Sequence, residues 1–193
     1  MIFMVKMEEK PCMIVNMIST EIVTTVYLIR YGAIPDVIPG DWAERDRLVR
    51  GSQVVIRNAR GETLGTVLEE YRPRSVGGET ESSSFSILRR ATPDDIDQSQ
   101  RLLKQSRSEY PVWCQRIADW NLDLQLIDLE WTLDESRLIL YVLNDRGPEC
   151  TKLALQAAAA GLGAVDVLPV SAEGLVTLPK ESKGGGCGSC GCH

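Results

Sequence analysis

The period of apolar and polar positions changes repeatedly along the 193-residue chain, and each change marks an element. Ile22 to Tyr31 is dense in β-branched and aromatic residues, which predicts a strand. Gly32 ends it, and Pro35 with Pro39-Gly40 predicts an irregular loop. Gly51–Arg57 and Glu62–Glu69 flank Asn58-Ala-Arg-Gly61, the pattern of a hairpin whose glycine takes a positive φ. The Pro-, Gly- and Ser-rich stretch 72–84 predicts a linker, and Phe85–Arg90 a short returning strand. Thr92-Pro-Asp-Asp95 carries an N-cap, a first-turn proline and acids at the positive end of a helix. That helix is expected to run to about Trp120 on a stripe of Ile96, Leu103, Tyr110 and Ile117, with a kink or restart at Pro111. Leu122–Trp131 alternates as a half-buried strand does, Asp134–Ser136 turns, and Leu138–Leu143 forms the next strand. Pro148–Gly161 predicts a second helix, and Ala164–Leu168 a last strand before Pro169.

This order is α+β. A small barrel-like β half (21–90) is followed by a helix–strand–strand–helix–strand layer with an antiparallel sheet (91–170). Residues 1–20, rich in methionine and without clear period, are expected to be a disordered N-terminal extension, and 171–193 a flexible Cys/Gly-rich tail.

A net charge of −6 argues against nonspecific nucleic-acid binding by the whole surface. The charge is uneven. Residues 21–90 carry ten arginines, no lysine and ten acids, whereas 91–193 carry nine basic residues against fifteen acids. Arginine's planar fork suits phosphate and carboxylate, so Arg57, Arg60, Arg89 and Arg90 are candidates to contact nucleic acid or an acidic partner; a plain solvated surface fits the same pattern. No apolar run is long enough to cross a membrane and no secretory leader is evident, so a cytoplasmic location without membrane insertion is expected.

The single histidine, His193, excludes histidine-based triads inside the fold, and no phosphate-loop or dinucleotide-binding fingerprint occurs. Asp128 and Glu130 share a strand face whose pattern predicts solvation rather than chemistry, while Cys114 and Cys150 are expected on helices as small packing residues. No enzymatic activity is indicated. The last residues concentrate ligands instead: Cys187, Cys190, Cys192 and His193, separated by glycines. Three thiolates and an imidazole suit a thiophilic metal such as zinc or an iron–sulfur cluster; a redox dithiol or a passive end are the other readings.

Three stretches together resemble a known family. Val54-Val-Ile-Arg-Asn-Ala-Arg-Gly-Glu-Thr-Leu-Gly-Thr-Val67 is similar to its first hairpin, and Ile87-Leu-Arg-Arg-Ala-Thr92 to the start of its helix. Leu124-Gln-Leu-Ile-Asp-Leu-Glu-Trp-Thr-Leu-Asp134 with Leu138-Ile-Leu-Tyr-Val142 is similar to its second hairpin. The chain thus resembles the polymerase-suppressor (PSP) C-terminal-region family over about residues 24–170, including the bacterial RicT/YaaT-type (stage 0 sporulation) subunit. The resemblance implies a non-enzymatic adaptor in RNA processing. That adaptor would join small partner subunits in a complex carrying [4Fe–4S] clusters and would assist a ribonuclease Y-like protein. Other relatives bind RNA, so direct binding of single-stranded RNA or DNA is an alternative, as is a metal carrier or redox thiol protein. The RicT-type "C-G-R-x-L-C-C" segment does not occur in 171–193.

Overall fold

The computed structural model describes residues 24–71, 85–144, 147–172 and 174–176. The N-terminal extension, the 72–84 linker and the cysteine tail lie outside the described residues, and with them Cys187, Cys190, Cys192 and His193.

Five strands close a barrel: β1 (Thr25–Tyr31), β2 (Asp36–Trp42), β3 (Gln53–Asn58), β4 (Gly61–Glu70) and β5 (Ser86–Arg90), in the order β1-β2-β5-β3-β4. Strand β2 occupies the segment expected to be an irregular loop. Pro39 sits within it, opposite Leu28 of β1, and Asp36–Trp42 pairs with β1 along its whole length. On its other side β2 meets only the start of β5, in a parallel pairing at Asp41 and Ser86. A strand so sparsely bonded on one side tolerates a residue without an N–H. Tyr27, Ile29, Trp42, Val54, Ile56, Val67 and Ile87 fill the interior. At Gly65 a Cβ would lie 2.4 Å from Ile29 Cγ2, so the barrel closes there only because β4 has no side chain at that point.

The second layer is a sheet ordered β6-β7-β8-β9, from β6 (Gln125–Trp131), β7 (Leu138–Leu143), β8 (Val165–Ser171) and the two-residue β9 (Gly174–Leu175). It is antiparallel-rich. The exception is the β7–β8 pair, which is parallel because the helix α2 (Pro148–Ala159) carries the chain back between them. The alternation of 122–131 breaks at Leu126-Ile127, and a β-bulge between Leu126 and Asp128 sits at that break. Consequently both Leu126 and Leu129 face the core although three residues separate them.

Helix α1 (Pro93–Asp119) starts at a complete capping box: Thr92 Oγ1 accepts from the Asp95 N–H at 3.3 Å, and Asp95 Oδ2 accepts from the Thr92 N–H at 2.8 Å. It does not restart at Pro111, which is exposed, so water can reach the carbonyl one turn back that the ring leaves without a donor. The buried stripe is Leu102, Ser106, Trp113 and Ile117; Leu103, expected inside, is 51% exposed. Trp113 and Ile117 join Leu126, Leu129, Leu138, Leu140, Val142, Cys150 and Leu153 in one core between the sheet and both helices.

Strand β7 is buried on both faces. Leu138, Leu140 and Val142 point to the helices, whereas Ile139 and Tyr141 point the other way, towards Ala33 and Ile34 in the β1–β2 turn of the barrel. The sheet is therefore a middle layer with helices on one side and a corner of the barrel on the other.

Candidate partner interface and the buried polar joint

The four arginines singled out in the sequence do not form one patch. Arg57 lies on β3, where its register partner on β5 is Ser86, whereas Arg89 and Arg90 lie at the far end of β5 opposite Val55 and Val54. Each is engaged by an acid of the same chain. Arg57 pairs with Glu62, directly across the β3–β4 hairpin. Arg89 holds Asp95 with both guanidinium nitrogens, Nη2 at 2.9 Å from Oδ1, so the capping carboxylate of α1 is also the arginine's partner. That guanidinium, helped by the Thr92 donors, holds the Asp95 carboxyl far below its ordinary range. Arg90 donates to Asp46 Oδ2 at 3.1 and 2.6 Å and to the Arg47 carbonyl at 2.8 Å, tying β5 to the β2–β3 loop.

Arg60 turns inward. Asn58 Oδ1 accepts from the Arg60 and Gly61 N–H groups at 2.7 and 3.2 Å, an Asx-type turn at the hairpin tip. Its Nε then lies 3.9 Å from Asp166 of β8, which also accepts from Arg137 at 3.0 Å. Arg60 thus bridges barrel and sheet at the surface, its side chain still 36% exposed.

It belongs to a polar joint that the sequence pattern did not mark. Glu130 of β6 accepts from the Tyr141 hydroxyl at 2.6 Å on one oxygen and from the Ala33 N–H at 2.6 Å on the other. One carboxyl therefore links β6, β7 and the β1–β2 turn. Burial pushes the Glu130 carboxyl above its ordinary value, and the two hydrogen bonds oppose the shift without cancelling it. Burial raises Tyr141 strongly as well, with the Glu130 carboxylate beside it adding to the rise. A second clasp lies nearby. The Leu133 N–H donates to the Glu62 carbonyl at 2.7 Å, and a Cβ at Gly61 (φ +139°) would lie 3.1 Å from both carboxylate oxygens of Asp134. The tips of the two hairpins meet at a glycine for that reason.

The expectation that Asp128 and Glu130 form a solvated face therefore fails at Glu130. Alternation tells which face a residue takes but not what covers that face, and here the barrel covers it. The neighbouring signal was available only in retrospect: Glu130 and Tyr141 lie on adjacent strands, and their side chains meet across the pair.

Residues 85–147 match the family model of the PSP1 C-terminal conserved region. The match, called the PSP1 region below, covers about a third of the chain. No curated protein and no solved structure matches the chain. The PSP1 region spans β5, α1, β6 and β7, and it contains two of the three stretches on which the resemblance rested, Ile87–Thr92 and Leu124–Val142. It also contains Arg89 with its partner Asp95, and both Glu130 and Tyr141 of the joint. Among the described residues no group of three or more histidines, cysteines or acids is placed to hold a metal ion, and no helix is long and apolar enough to cross a membrane. Cys114 and Cys150 pack at or in the helix-side core, Cys150 buried and Cys114 partly so.

The double use of Asp95 gives a stability prediction. Asp95→Ala removes the N3 half of the capping box of α1 and the partner of Arg89 together, leaving Thr92 as N-cap, and is expected to cost about 1 kcal/mol. Because the folded state holds this carboxyl below its ordinary value, its contribution is present above pH 3.8 and fades as the pH falls further. Urea titrations of both proteins should therefore separate at neutral pH and converge in acid.

Proposed function

We propose that the chain is a non-enzymatic adaptor subunit in RNA processing. In this reading it acts through protein partners, small subunits and a ribonuclease Y-like protein, in the cytoplasm. The tail residues Cys187, Cys190, Cys192 and His193 would hold a thiophilic metal or an iron–sulfur cluster. The PSP1 region supports the family side of this reading. The observation that favours partners over direct RNA contact is the state of the arginines. Arg57, Arg60, Arg89 and Arg90 each face an in-chain carboxylate, so a phosphate would have to displace an existing ion pair. On a chain of net charge −6 that competition is unfavourable, and a partner that reads shape is better served. The tail's donor set, three thiols and one imidazole, is chemically suited to zinc or a cluster.

The test uses the full chain and a form ending at Gly186, each purified anaerobically and offered to a ribonuclease Y-like protein with its small subunits. Retention of partners by the full chain, with iron and sulfide or zinc that truncation removes, is the expected outcome. Failure of both forms to retain any partner would sink the adaptor reading. A mobility shift of single-stranded RNA that weakens with salt and is abolished by Arg57→Ala with Arg60→Ala would replace it with direct binding.

A further inference from the structure

Strand β8 is paired along its whole length on one side only. The Ala164 and Val170 carbonyls accept from the Leu138 and Asn144 N–H groups on the β7 side. Alternation therefore sends the backbone polar groups of Val165, Val167 and Pro169 to the opposite side. There β9 meets Val170 and Ser171, and the Val176 N–H donates to the Pro169 carbonyl at 3.0 Å. Among the described residues nothing pairs with Val165 or Val167 on that side. Along this edge, on the helix face, a groove of about 550 Å³ separates β8 from the start of α2, with Pro148, Thr151, Ala154 and Val167 in its walls. Strand edges of this kind are normally covered or blunted.

The chain itself points at the gap. Val176, the last described residue, is already bonded to β8 and runs antiparallel to it, so the residues that follow meet the edge at an effective concentration no separate molecule matches. Continuing the register of Ser171 with Gly174 and Val170 with Leu175 sets Thr177 opposite Leu168, Leu178 opposite Val167, Pro179 opposite Asp166 and Lys180 opposite Val165. The sequence suits that register. Leu178 takes a hydrogen-bonded position, with an N–H for the Val167 carbonyl. It also shares the face on which Val167 packs towards the helices, so its side chain enters the groove. Pro179 falls where an N–H would point to solvent, the position at which an outermost strand accepts proline. Lys180 closes the apolar run at Val165, where β8 itself begins. A slip of one residue would turn the missing N–H of Pro179 inward and move Leu178 to the face of Asp166.

We propose that residues 177–180 are a strap that extends β9 along the open edge of β8 and seats Leu178 in the groove. The strap closes this edge to pairing with another chain. It also fixes where the ligand-bearing tail leaves the body: beside Val165, with residues 181–186 alone between the strap and Cys187. The strap is independent of the adaptor reading, since it needs neither a partner protein nor a metal.

Amide exchange and NOE spectroscopy on the full chain test this, with two proline variants. The Hα atoms of Leu168 and Thr177 should give the strong NOE of a directly opposed, non-hydrogen-bonded pair. The Val165 and Val167 amides should exchange at least about tenfold more slowly than in Leu178→Pro, which removes the N–H given to Val167 and sets a ring against its carbonyl. Thr177→Pro removes only a solvent-facing N–H and should keep the protection. The Leu140 and Val142 amides of β7 report folding and should be unchanged in both variants. Unprotected Val165 and Val167 in the parent, or equal loss in the two proline variants, would overturn the proposal. Protection that survives Leu178→Pro but fades on dilution would overturn it too, by assigning the edge to a second copy of the chain.

Discussion

Glu130→Ala is expected to lower stability by roughly 3 kcal/mol, read as a shift in the urea midpoint at neutral pH. The substitution strands the Tyr141 hydroxyl and the Ala33 N–H, and it opens space between β6 and the β1–β2 turn. Each buried donor left without an acceptor costs of order 1–3 kcal/mol, while the loss of a desolvated carboxylate returns part of that. The sign of the returned part can be measured. A carboxyl raised in the folded state binds its proton more readily there than in the unfolded chain. Its contribution is therefore most favourable below pH 4.5 and is lost as the pH rises through the folded value. Glu130→Gln retains an acceptor but no titration, so its stability profile should lack the fall above pH 4.5 that the parent shows. A difference profile, parent minus Glu130→Gln, that rises across this range would contradict the assignment, because the opposite contributions of Asp46, Asp95 and Asp134 are common to both proteins and cancel.

Gly65→Ala should cost about 2–3 kcal/mol through a different mechanism. The added methyl would sit 2.4 Å from Ile29 Cγ2, and Ile29 is fully buried in the barrel. Neither partner can yield easily, because β1 and β4 are hydrogen-bonded across this point, with Tyr31 opposite Gly65 and Ile29 opposite Val67. Non-additivity is the diagnostic. Ile29→Ala alone leaves a cavity, but in the double variant it makes room for the new methyl. The double variant should therefore be more stable than the sum of the two losses allows, by at least about 1 kcal/mol. Strict additivity would mean that Gly65→Ala acts through backbone freedom rather than through the clash.

The sequence was informative where a residue's neighbours along the chain decide its state. Thr92-Pro-Asp-Asp95 carries its own helix start, Asn58-Ala-Arg-Gly61 its own turn, and Leu138–Leu143 reads as a strand because β7 is enclosed on both faces. It misled where partners distant in sequence decide. Pro39 announces a loop locally, yet β2 is fixed by its register with β1. Pro111 announces a break, yet exposure and the packing of Trp113 and Ile117 hold α1 in one piece. Glu130 alternates like a surface residue, and only its encounter with Ala33, 97 positions earlier, makes it a half-buried one. The arginines repeat the lesson for the site. Their chemistry was evident, but their commitment to Glu62, Asp166, Asp95 and Asp46 depends on the folded arrangement.

The position of β5 bears on how this protein can be divided. The PSP1 region opens at residue 85, one position before a strand that sits between β2 and β3 and completes the barrel. A fragment cut to the family boundary, 85–147, would carry β5 with both of its hydrogen-bonding edges bare, and β7 without its parallel neighbour β8. Such a piece would expose apolar strands prone to pairing with other copies. The segment that matches the family model and the unit that folds are therefore not the same length. Work on an isolated domain of this protein has to keep the barrel that precedes the recognised segment and the α2–β8 return that follows it.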